Sequence, residues 1–218
     1  MKKRIFALFL SALLLTTVLC ACGDEKSEEA GGIGSNGTSS SGEPVTGGEL
    51  VVGISQDLGD SLDPYQMTAA GTREVMFNVF EGLVKPDSDG NYVCAVASDY
   101  QVSEDGLTYT FKLRQGVKFH DGTDFNAEAV KYNVDRQTVN KTEDMLYADF
   151  VFGDVAECNV IDDYTVEIVL NKVSTPFLNN LAMSLGAPMV SPTACEANNN
   201  NLNEAPCGTG PYKFVRWD

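Results

Sequence analysis

Two short segments of the chain alternate between apolar and polar residues. Residues 107–113 and 164–170 each place four apolar or aromatic side chains on one face and mostly polar side chains on the other. Because successive side chains of a strand point to opposite faces, this period of two predicts half-buried antiparallel strands. The β-rich run at residues 49–55 also predicts a strand, and residues 210–217 favour the entry into another.

Apolar residues at helical spacing mark three further segments. Residues 72–85 carry one apolar stripe, and the spacing predicts a helix that Pro86 ends. Asn126 is a suitable N-cap for a helix over residues 127–139, and a third helix is predicted over residues 176–185. Strands and helices alternate without strict βαβ units, so the pattern predicts an α/β fold with a mixed sheet.

The first 22 residues have the organisation of a bacterial secretion signal. Basic residues 2–4 precede an apolar run of 15 residues, which is short for a membrane span. The run ends at residues 19–22 (LCAC), which resemble the lipobox of bacterial lipoproteins. The resemblance implies a signal peptide over residues 1–21, cleavage before Cys22 and lipidation of its thiol. The alternatives are an ordinary signal peptide cut after Ala21, or a short buried helix.

The segment after the signal has the composition of a flexible linker. Gly and Ser make up 13 of the 26 residues at positions 23–48. Such a chain has a root-mean-square span of roughly 25–30 Å. Residues 22–48 are therefore predicted to be a lipidated cysteine and a tether that holds a folded body off a membrane surface, outside the cytoplasm.

The charge excludes several classes of partner. The full chain has 31 acidic and 15 basic residues and a net charge of −16. Loss of the signal removes three basic residues and no acidic one, which leaves 12 basic residues and a net charge of −19. Proteins that bind nucleic acid need clustered Lys and Arg, so the composition argues against a nucleic-acid partner and against electrostatic docking on an anionic membrane.

The sequence offers no constellation for catalysis or for a metal. His120 is the single histidine, so a histidine-based zinc site cannot be built. We find no nucleophile motif and no phosphate-binding loop, and therefore predict no catalytic residue, metal or cofactor. His120 lies in a predicted turn at residues 119–122, where we expect its imidazole to face solvent or to stabilise the turn.

Four cysteines remain once Cys22 is lipidated. They are Cys94, Cys158, Cys195 and Cys207. Four cysteines permit three pairings, and an exported protein allows disulfides. A Cys195–Cys207 disulfide would close a short Asn-rich loop and is the most economical pairing, whereas four free thiols are the alternative.

Six phrases follow one another along residues 49–218. They are SLDP (61–64), VFEGL (79–83), LTYTFKLRQGVKFHDG (107–122), FNA (125–127), DYTV (163–166) and GTGPY (208–212). Each phrase alone is weak, but in this order they resemble the extracytoplasmic solute-binding proteins of family 5, which are peptide, dipeptide and nickel receptors of ABC importers. Tyr100 stands where the family usually has Trp, and Glu128-Ala129 replaces a common acidic-aliphatic pair; both departures look structural.

The resemblance implies a periplasmic-binding-protein-like clamp of type II, in which two lobes close on a ligand. Residues 49–80 and 192–218 would belong to the first lobe, and residues 81–191 would form an inserted subdomain. Family members are considerably longer than this chain. We therefore expect the second lobe to follow Asp218, which would make the sequence an N-terminal fragment of a receptor.

The resemblance also implies part of a ligand-binding site. In peptide-binding members, the stretch after the SLDP-like phrase pairs its backbone with an extended peptide, and it corresponds here to Met67, Thr68, Ala69 and Ala70. Tyr212, in the GTGPY-like phrase, is a candidate wall of the cleft, and Tyr147 lies in a region that can approach the ligand. The alternatives are a plain loop leading into the helix at 67–70 and a core or hinge aromatic at 212.

We therefore expect a monomeric, lipid-anchored receptor that captures a peptide or a similar small solute and delivers it to a membrane permease. Ligand contact with both lobes would drive closure, with no covalent chemistry. A secreted lipoprotein hydrolase and a ligand-sensing surface module with the same clamp are the rival hypotheses. Nickel chelates and sugar oligomers remain alternative ligands.

Overall fold

The computed structural model describes residues 47–59, 61–183 and 187–217. Residues from Val51 onward belong to one compact unit, and residues 47–50 belong to a separate one. The predicted signal peptide, the lipidation site Cys22 and nearly all of the tether lie outside the described residues. No helix in the described ranges is long and apolar enough to span a membrane.

Short helices and short strands alternate along the compact unit. The helices are α1 (Ala70–Met76), α2 (Ala127–Gln137), α3 (Ala148–Phe152), α4 (Phe177–Leu181) and α5 (Pro192–Ala197). The strands are β1 (Val84–Pro86), β2 (Tyr92–Cys94), β3 (Ala97–Val102), β4 (Thr108–Leu113), β5 (Val155–Asp162) and β6 (Thr165–Leu170).

The strands form two antiparallel sheets. Four of them pair in the order β3-β4-β6-β5, and β1 pairs with β2 in a separate hairpin. Phe111 of β4 lies opposite Val166 of β6, which aligns the apolar faces that the alternation predicts. The α/β class is confirmed, but the described strand pairs are antiparallel throughout, so the mixed pairing expected from the sequence is not seen in them.

The elements with the clearest sequence patterns form where they are predicted. The alternating segments 107–113 and 164–170 become β4 and β6, whose buried positions alternate with more exposed ones. Asn126 caps α2, because its side-chain oxygen accepts a hydrogen bond of 2.9 Å from the backbone N–H of Ala129. Local pattern and cap chemistry therefore suffice for these elements.

Three predicted elements differ from the structure. The helix predicted over 72–85 ends at Met76, and Val84 already belongs to β1, because residues 77–83 leave the helix and still bury apolar side chains. No strand forms at residues 51–55, and none forms at residues 210–217. Neither of these two segments has a ladder partner among the described residues, and an unpaired strand is not stable alone.

The larger of two hydrophobic cores lies under the four-stranded sheet. Its sheet side includes Phe111, Val166 and Ile168, which are all fully buried. Helix α2 covers this face with Val130 and Val134. The helix stripe and the sheet face are both apolar, and burying one against the other is what stabilises this part of the fold.

The smaller core joins the segment before and along α1 to the far end of the chain. It contains Leu62, Tyr65 and Met76 from that segment, and Cys195 and Leu202 from α5 and the loop after it. Its other members are Met67, Val79, Phe80, Met145, Ala148 and Val190. This core is therefore built from pieces that are far apart in sequence.

The predicted Cys195–Cys207 disulfide is not formed in the structure. All four described cysteines are free thiols. Cys195 packs inside the smaller core, whereas the thiol of Cys207 lies among the larger core's residues and hydrogen-bonds to Asp121. Burial raises the pKa of Cys195 to about 11 and also raises the pKa of Cys207. Buried, protonated thiols behave as small apolar groups.

Candidate ligand-binding site

The predicted peptide-pairing stretch lies at the start of α1. Met67 is 3% exposed and belongs to the smaller core, so its side chain faces inward. Thr68 and Ala70 are exposed, and Ala69 is half-buried. In this structure the stretch therefore offers small side chains and backbone to a ligand, and the Met67 side chain does not take part.

The backbone of this stretch has unused donors. Ala69 is the N-cap of α1, with φ −69° and ψ 135°, and it makes no side-chain cap hydrogen bond. No described residue accepts a hydrogen bond from the N–H groups of Thr68, Ala69 or Ala70. The first N–H groups of any helix lack internal partners, so an added acceptor can satisfy them. A carbonyl or carboxylate oxygen of a peptide would be such an acceptor.

A tight turn before the stretch fixes its direction. The backbone N–H groups of Gln66 and Met67 both donate to the carbonyl of Asp63, at 3.0 and 2.9 Å. The Asp63 carboxylate also accepts a hydrogen bond from the backbone N–H of Tyr65, at 3.0 Å. The turn is therefore organised around Asp63, and its carboxylate must remain in place for the stretch to keep its direction.

The carboxylate that organises this turn is buried and paired. Arg136, near the end of α2, places its Nη2 atom 2.6 Å from Oδ2 of Asp63, and both side chains are at most 4% exposed. The guanidinium also lies 4.9 Å from the ring centroid of Tyr65 and donates to the carbonyl of Asn200. Burial alone would lower the pKa of Arg136, but the hydrogen bond to Asp63 and the negative charge of Asp63 outweigh burial and raise the pKa above its ordinary value.

A second buried contact ties α2 to the chain at residues 188–190. The Tyr65 hydroxyl lies within hydrogen-bond distance of Asn133 Oδ1 and of the carbonyl of Pro188. Asn133 also bonds residue 190 in both directions, because it accepts from the N–H of Val190 and donates to its carbonyl. Burial raises the pKa of Tyr65 well above its usual value, so the hydroxyl stays protonated.

Gly71 lets the chain before the turn approach α1 closely. A Cβ atom at residue 71 would lie 3.0 Å from the carbonyl oxygen of Gln56 and 3.2 Å from that of Asp57. The backbone N–H of Gly59 donates to the hydroxyl of Thr72 at 2.6 Å. The segment before the SLDP phrase is thus held against the first turn of α1.

The GTGPY phrase lies at the other end of α1. The N–H of Gly210 donates to the carbonyl of Val79, and the N–H of Tyr212 donates to that of Asn78, both at 2.9 Å. A Cβ atom at Gly208 would lie 2.3 Å from the Val79 oxygen, so no other residue fits there without movement. This close contact explains why the phrase needs glycines.

The structure separates the two parts of the predicted site by the length of α1. Tyr212 is 61% exposed beside the C-terminal end of α1, whereas residues 68–70 lie at its N-terminal end. With a rise of 1.5 Å per residue, the two ends are about 10 Å apart. Tyr147 is half-buried at the start of α3, and among the described residues no hydrogen bond or ring contact joins it to either part.

A polar cavity that sequence reasoning missed opens beside the buried ion pair. It has a volume of about 570 Å³, and its lining includes Arg136, Tyr132 and Asp144 together with side-chain amides of the loop at 199–203. None of the predicted ligand residues lines it. Asparagine-rich loops give no periodic pattern, so the sequence carried no signal for this cavity. The described residues contain no group of three or more side chains suited to hold a metal.

The fold is that of part of a solute-binding clamp, and comparison with known proteins identifies the family. A family model described as "Bacterial extracellular solute-binding proteins, family 5 Middle" matches residues 91–218. This match covers more than half of the chain, so the protein belongs to the family 5 solute-binding proteins. They are extracytoplasmic binding proteins of ABC importers rather than enzymes.

Individual relatives match a similar part of the chain. The glutathione-binding protein GsiB of Pectobacterium atrosepticum is 40% identical over 158 residues, which cover 72% of this chain and 30% of that protein. The Helicobacter pylori protein DppA, solved in complex with the peptide STSA, is 30% identical with a TM-score of 0.67, covering 73% of this chain and 35% of that one.

A dipeptide-binding protein from Pseudoalteromonas sp. SM9913, solved in complex with Met-Leu, is 28% identical with a TM-score of 0.65 and covers 73% of this chain and 36% of that one. The chain thus spans about a third of the length of the relatives that it matches. The structural likeness agrees with the α/β class and with part of a two-lobed clamp.

Proposed function

We propose that this chain is part of the substrate-binding component of an ABC importer, which captures a short peptide outside the cytoplasm and delivers it to a membrane permease. The observation that carries the proposal is the similarity to family 5 proteins, among which a glutathione-binding protein is 40% identical. The ligand would bind by noncovalent contacts and shift the receptor toward a closed state.

The geometry along α1 supports a short peptide as the ligand. The free N–H groups at residues 68–70 would donate hydrogen bonds to a ligand carbonyl or carboxylate, and Tyr212 would meet the ligand about 10 Å away. An extended chain spans at most 3.3–3.6 Å per residue, so roughly three residues bridge that distance. Glutathione is a tripeptide, and it is therefore the first ligand to test.

We also propose the lobe assignment that the family resemblance implies. The smaller core supports a first lobe formed by residues 49–80 and 192–218, because it joins Leu62 and Met76 to Cys195 and Leu202. The larger core supports an inserted subdomain over residues 81–191, since nearly all of its members fall in that range. The second lobe of the clamp would supply the remaining ligand contacts.

The lipid anchor is part of the same proposal. Lipidation of Cys22, followed by the Gly- and Ser-rich tether, would keep the receptor near its permease. Metabolic labelling with radioactive palmitate tests this directly. The wild-type chain should be labelled and fractionate with membranes, and the variant Cys22→Ser should lose both properties. Equal labelling of the two proteins would contradict the anchor.

Substitution of Ala70 tests the ligand site without disturbing the fold. Ala70 is the first residue of α1, and Ala69 before it has the extended ψ of 135° that a following proline requires. Ala70→Pro therefore removes one proposed donor and no helical hydrogen bond. Ala70→Ser, which keeps the N–H, is the matched control.

The measurement is a titration with glutathione, followed by the amide NMR signals of the ¹⁵N-labelled protein. Millimolar glutathione should shift the signals of residues 68–70 in the wild type and in Ala70→Ser. In Ala70→Pro, which has no amide N–H at residue 70, the signals of residues 68 and 69 should shift several-fold less. One lobe alone binds weakly, so we expect no marked increase in melting temperature. Shifts confined to other parts of the protein, or equal shifts in all three proteins, would refute the site.

A further inference from the structure

The turn that carries His120 is rigid and anchored in the larger core. The N–H of Phe119 donates to the carbonyl of Thr123, and the N–H of Gly122 donates to that of Phe119, both at 2.9 Å. Gly122 has φ +90°, a conformation that favours glycine. The ring of Phe119 is buried against Phe125 at a centroid distance of 5.6 Å, edge to face. A residue on this turn is therefore held in a fixed place.

His120 makes three hydrogen bonds to residues 208–213, the GTGPY phrase and the lysine that follows it. Its backbone N–H donates to the carbonyl of Gly208 at 2.9 Å, and its Nε2 atom lies 2.7 Å from the carbonyl of Gly210. The Nζ atom of Lys213 donates to the carbonyl of His120 at 2.9 Å. A carbonyl can only accept, so Nε2 must carry the proton in the contact with Gly210.

The imidazole makes no other hydrogen bond in the described residues. Its Nδ1 atom is buried and has no partner there. Only Nε2 has a hydrogen-bond partner within the described ranges, so the contact with the Gly210 carbonyl is the one hydrogen bond that orients the imidazole. The sequence-based expectation of a turn-stabilising imidazole is too narrow, because the ring bonds a segment 90 residues away.

The opposite side of the same segment is held by the chain after α1. The N–H groups of Gly210 and Tyr212 donate to the carbonyls of residues 79 and 78. Gly208 and Gly210 both lie so close to that backbone that a Cβ atom would not fit at either position. Residues 208–213 are therefore hydrogen-bonded on two sides, to the turn at 119–122 and to the segment at 78–80.

We propose that His120 is a positioning residue that clamps residues 208–213 against residues 78–80 and thereby sets the direction of Tyr212 and of the chain that follows it. The clamp itself stands on hydrogen bonds and does not depend on any ligand. Only the role of Tyr212 as a wall of the ligand site rests on the proposed function.

The chain contains a probe for this clamp in Trp217, its single tryptophan. Trp217 is 42% exposed and lies four residues after Lys213. Acrylamide quenching of its fluorescence reports how freely the end of the segment moves. Trypsin cleavage after Lys213 and Arg216, followed by mass spectrometry, reports opening of the same segment.

Two substitutions at position 120 separate the hydrogen bond from packing. His120→Leu removes the donor to Gly210, whereas His120→Gln can place an amide N–H where Nε2 lies. We expect His120→Leu to raise the cleavage rate about two- to tenfold, as befits the loss of one hydrogen bond, and to increase quenching of Trp217. His120→Gln should restore both values toward those of the wild type, with melting temperatures close to the wild type.

Lys213→Met provides a second test if His120→Leu does not fold. It removes the hydrogen bond from Lys213 Nζ to the carbonyl of His120 at an exposed position. Cleavage after Arg216 should then increase. Unchanged cleavage and quenching in folded His120→Leu, or in Lys213→Met when only that variant folds, would overturn the clamp. Since none of these measurements uses a ligand, failure to bind glutathione would leave the clamp intact and refute only the proposed function.

Discussion

The two hydrophobic cores of this protein are held together in different ways. The larger core is a sheet face covered by one helix, and its central members, such as Phe111 and Ile168, are entirely apolar. The smaller core encloses a salt bridge between Asp63 and Arg136 and a buried amide, Asn133, beside Tyr65. One core is specified by local alternation of side chains, and the other by polar pairs that join distant segments.

This difference between the two cores shows which of them supports the candidate site. The larger core forms a stable base but contributes none of the proposed donors at residues 68–70. These donors depend on the turn organised by Asp63, and hence on Arg136 in α2. The proposed ligand site at the start of α1 thus depends on charge pairing as well as on apolar packing inside the smaller core.

Truncating Phe111 is expected to have the largest effect on the free energy of unfolding. Phe111→Ala removes a fully buried ring from the centre of the larger core and should cost about 3–5 kcal/mol. Urea denaturation monitored by circular dichroism measures the loss. Val102→Ala, on the exposed part of the edge strand β3, is the control and should stay within about 0.5 kcal/mol of the wild type.

Breaking the buried ion pair should cost nearly as much in the smaller core. Arg136→Met leaves the Asp63 carboxylate buried without its partner, which is expected to cost about 3–5 kcal/mol by urea denaturation. The double variant Asp63→Asn/Arg136→Met removes that buried charge and retains a cap for Tyr65, so it should recover part of the loss. A double variant less stable than Arg136→Met would contradict this account.

An exposed ion pair gives the matched comparison for that prediction. Lys118 and Asp124 form a salt bridge with both side chains more than half exposed, and Lys118→Met should cost less than about 1 kcal/mol. If Lys118→Met and Arg136→Met were equally destabilising, burial would not be the reason for the strength of the Asp63–Arg136 pair.

Thiol labelling should reveal a difference between the opening free energies of the two cores, which we expect to be smaller than the losses of stability predicted above. Burial raises the pKa of Cys158, in the larger core, to about 12 and that of Cys195, in the smaller core, to about 11, so both thiols are protonated and shielded at pH 8. Each reacts with iodoacetamide only when its core opens. We expect Cys195 to react at least about tenfold faster, a difference of roughly 1.4 kcal/mol in opening free energy.

The partly exposed Cys94 is the internal control for that experiment and should react without any opening. Equal rates at Cys158 and Cys195 would show that the two cores open as one unit. Labelling of Cys195 only after treatment with a reductant would instead restore the disulfide with Cys207 that the sequence predicted.

Sequence patterns succeeded where structure is local. The alternation of 107–113 and 164–170 and the cap at Asn126 specified β4, β6 and the start of α2, because strand faces and helix caps depend on neighbouring residues. The helix predicted at 72–85 was too long because Val79 and Phe80 are buried through contact with the smaller core, outside any helix. An apolar stripe at helical spacing therefore indicates which residues are buried, and it does not by itself show that all of them are helical.

The candidate site could be predicted only through resemblance to a family. Residues 67–70 have no pattern of their own, and their unused N–H groups become visible only with the turn at Asp63 in place. The buried pair of Asp63 and Arg136 joins residues 73 positions apart, and single-sequence reasoning has no rule that pairs them. The contact of His120 with Gly210 spans 90 positions and was missed for the same reason.

The contact between Leu62 and Asn203 sets an order of events during synthesis. The N–H of Leu62 donates to the carbonyl of Asn203 at 3.0 Å, and Cys195 and Leu202 close the core around it. The chain emerges from its N-terminus, so the segment that carries the candidate site must wait for more than a hundred later residues before it can be buried. The sheet over residues 97–170 can form first, whereas the start of α1 reaches its final structure only after residues 195–203 have been made.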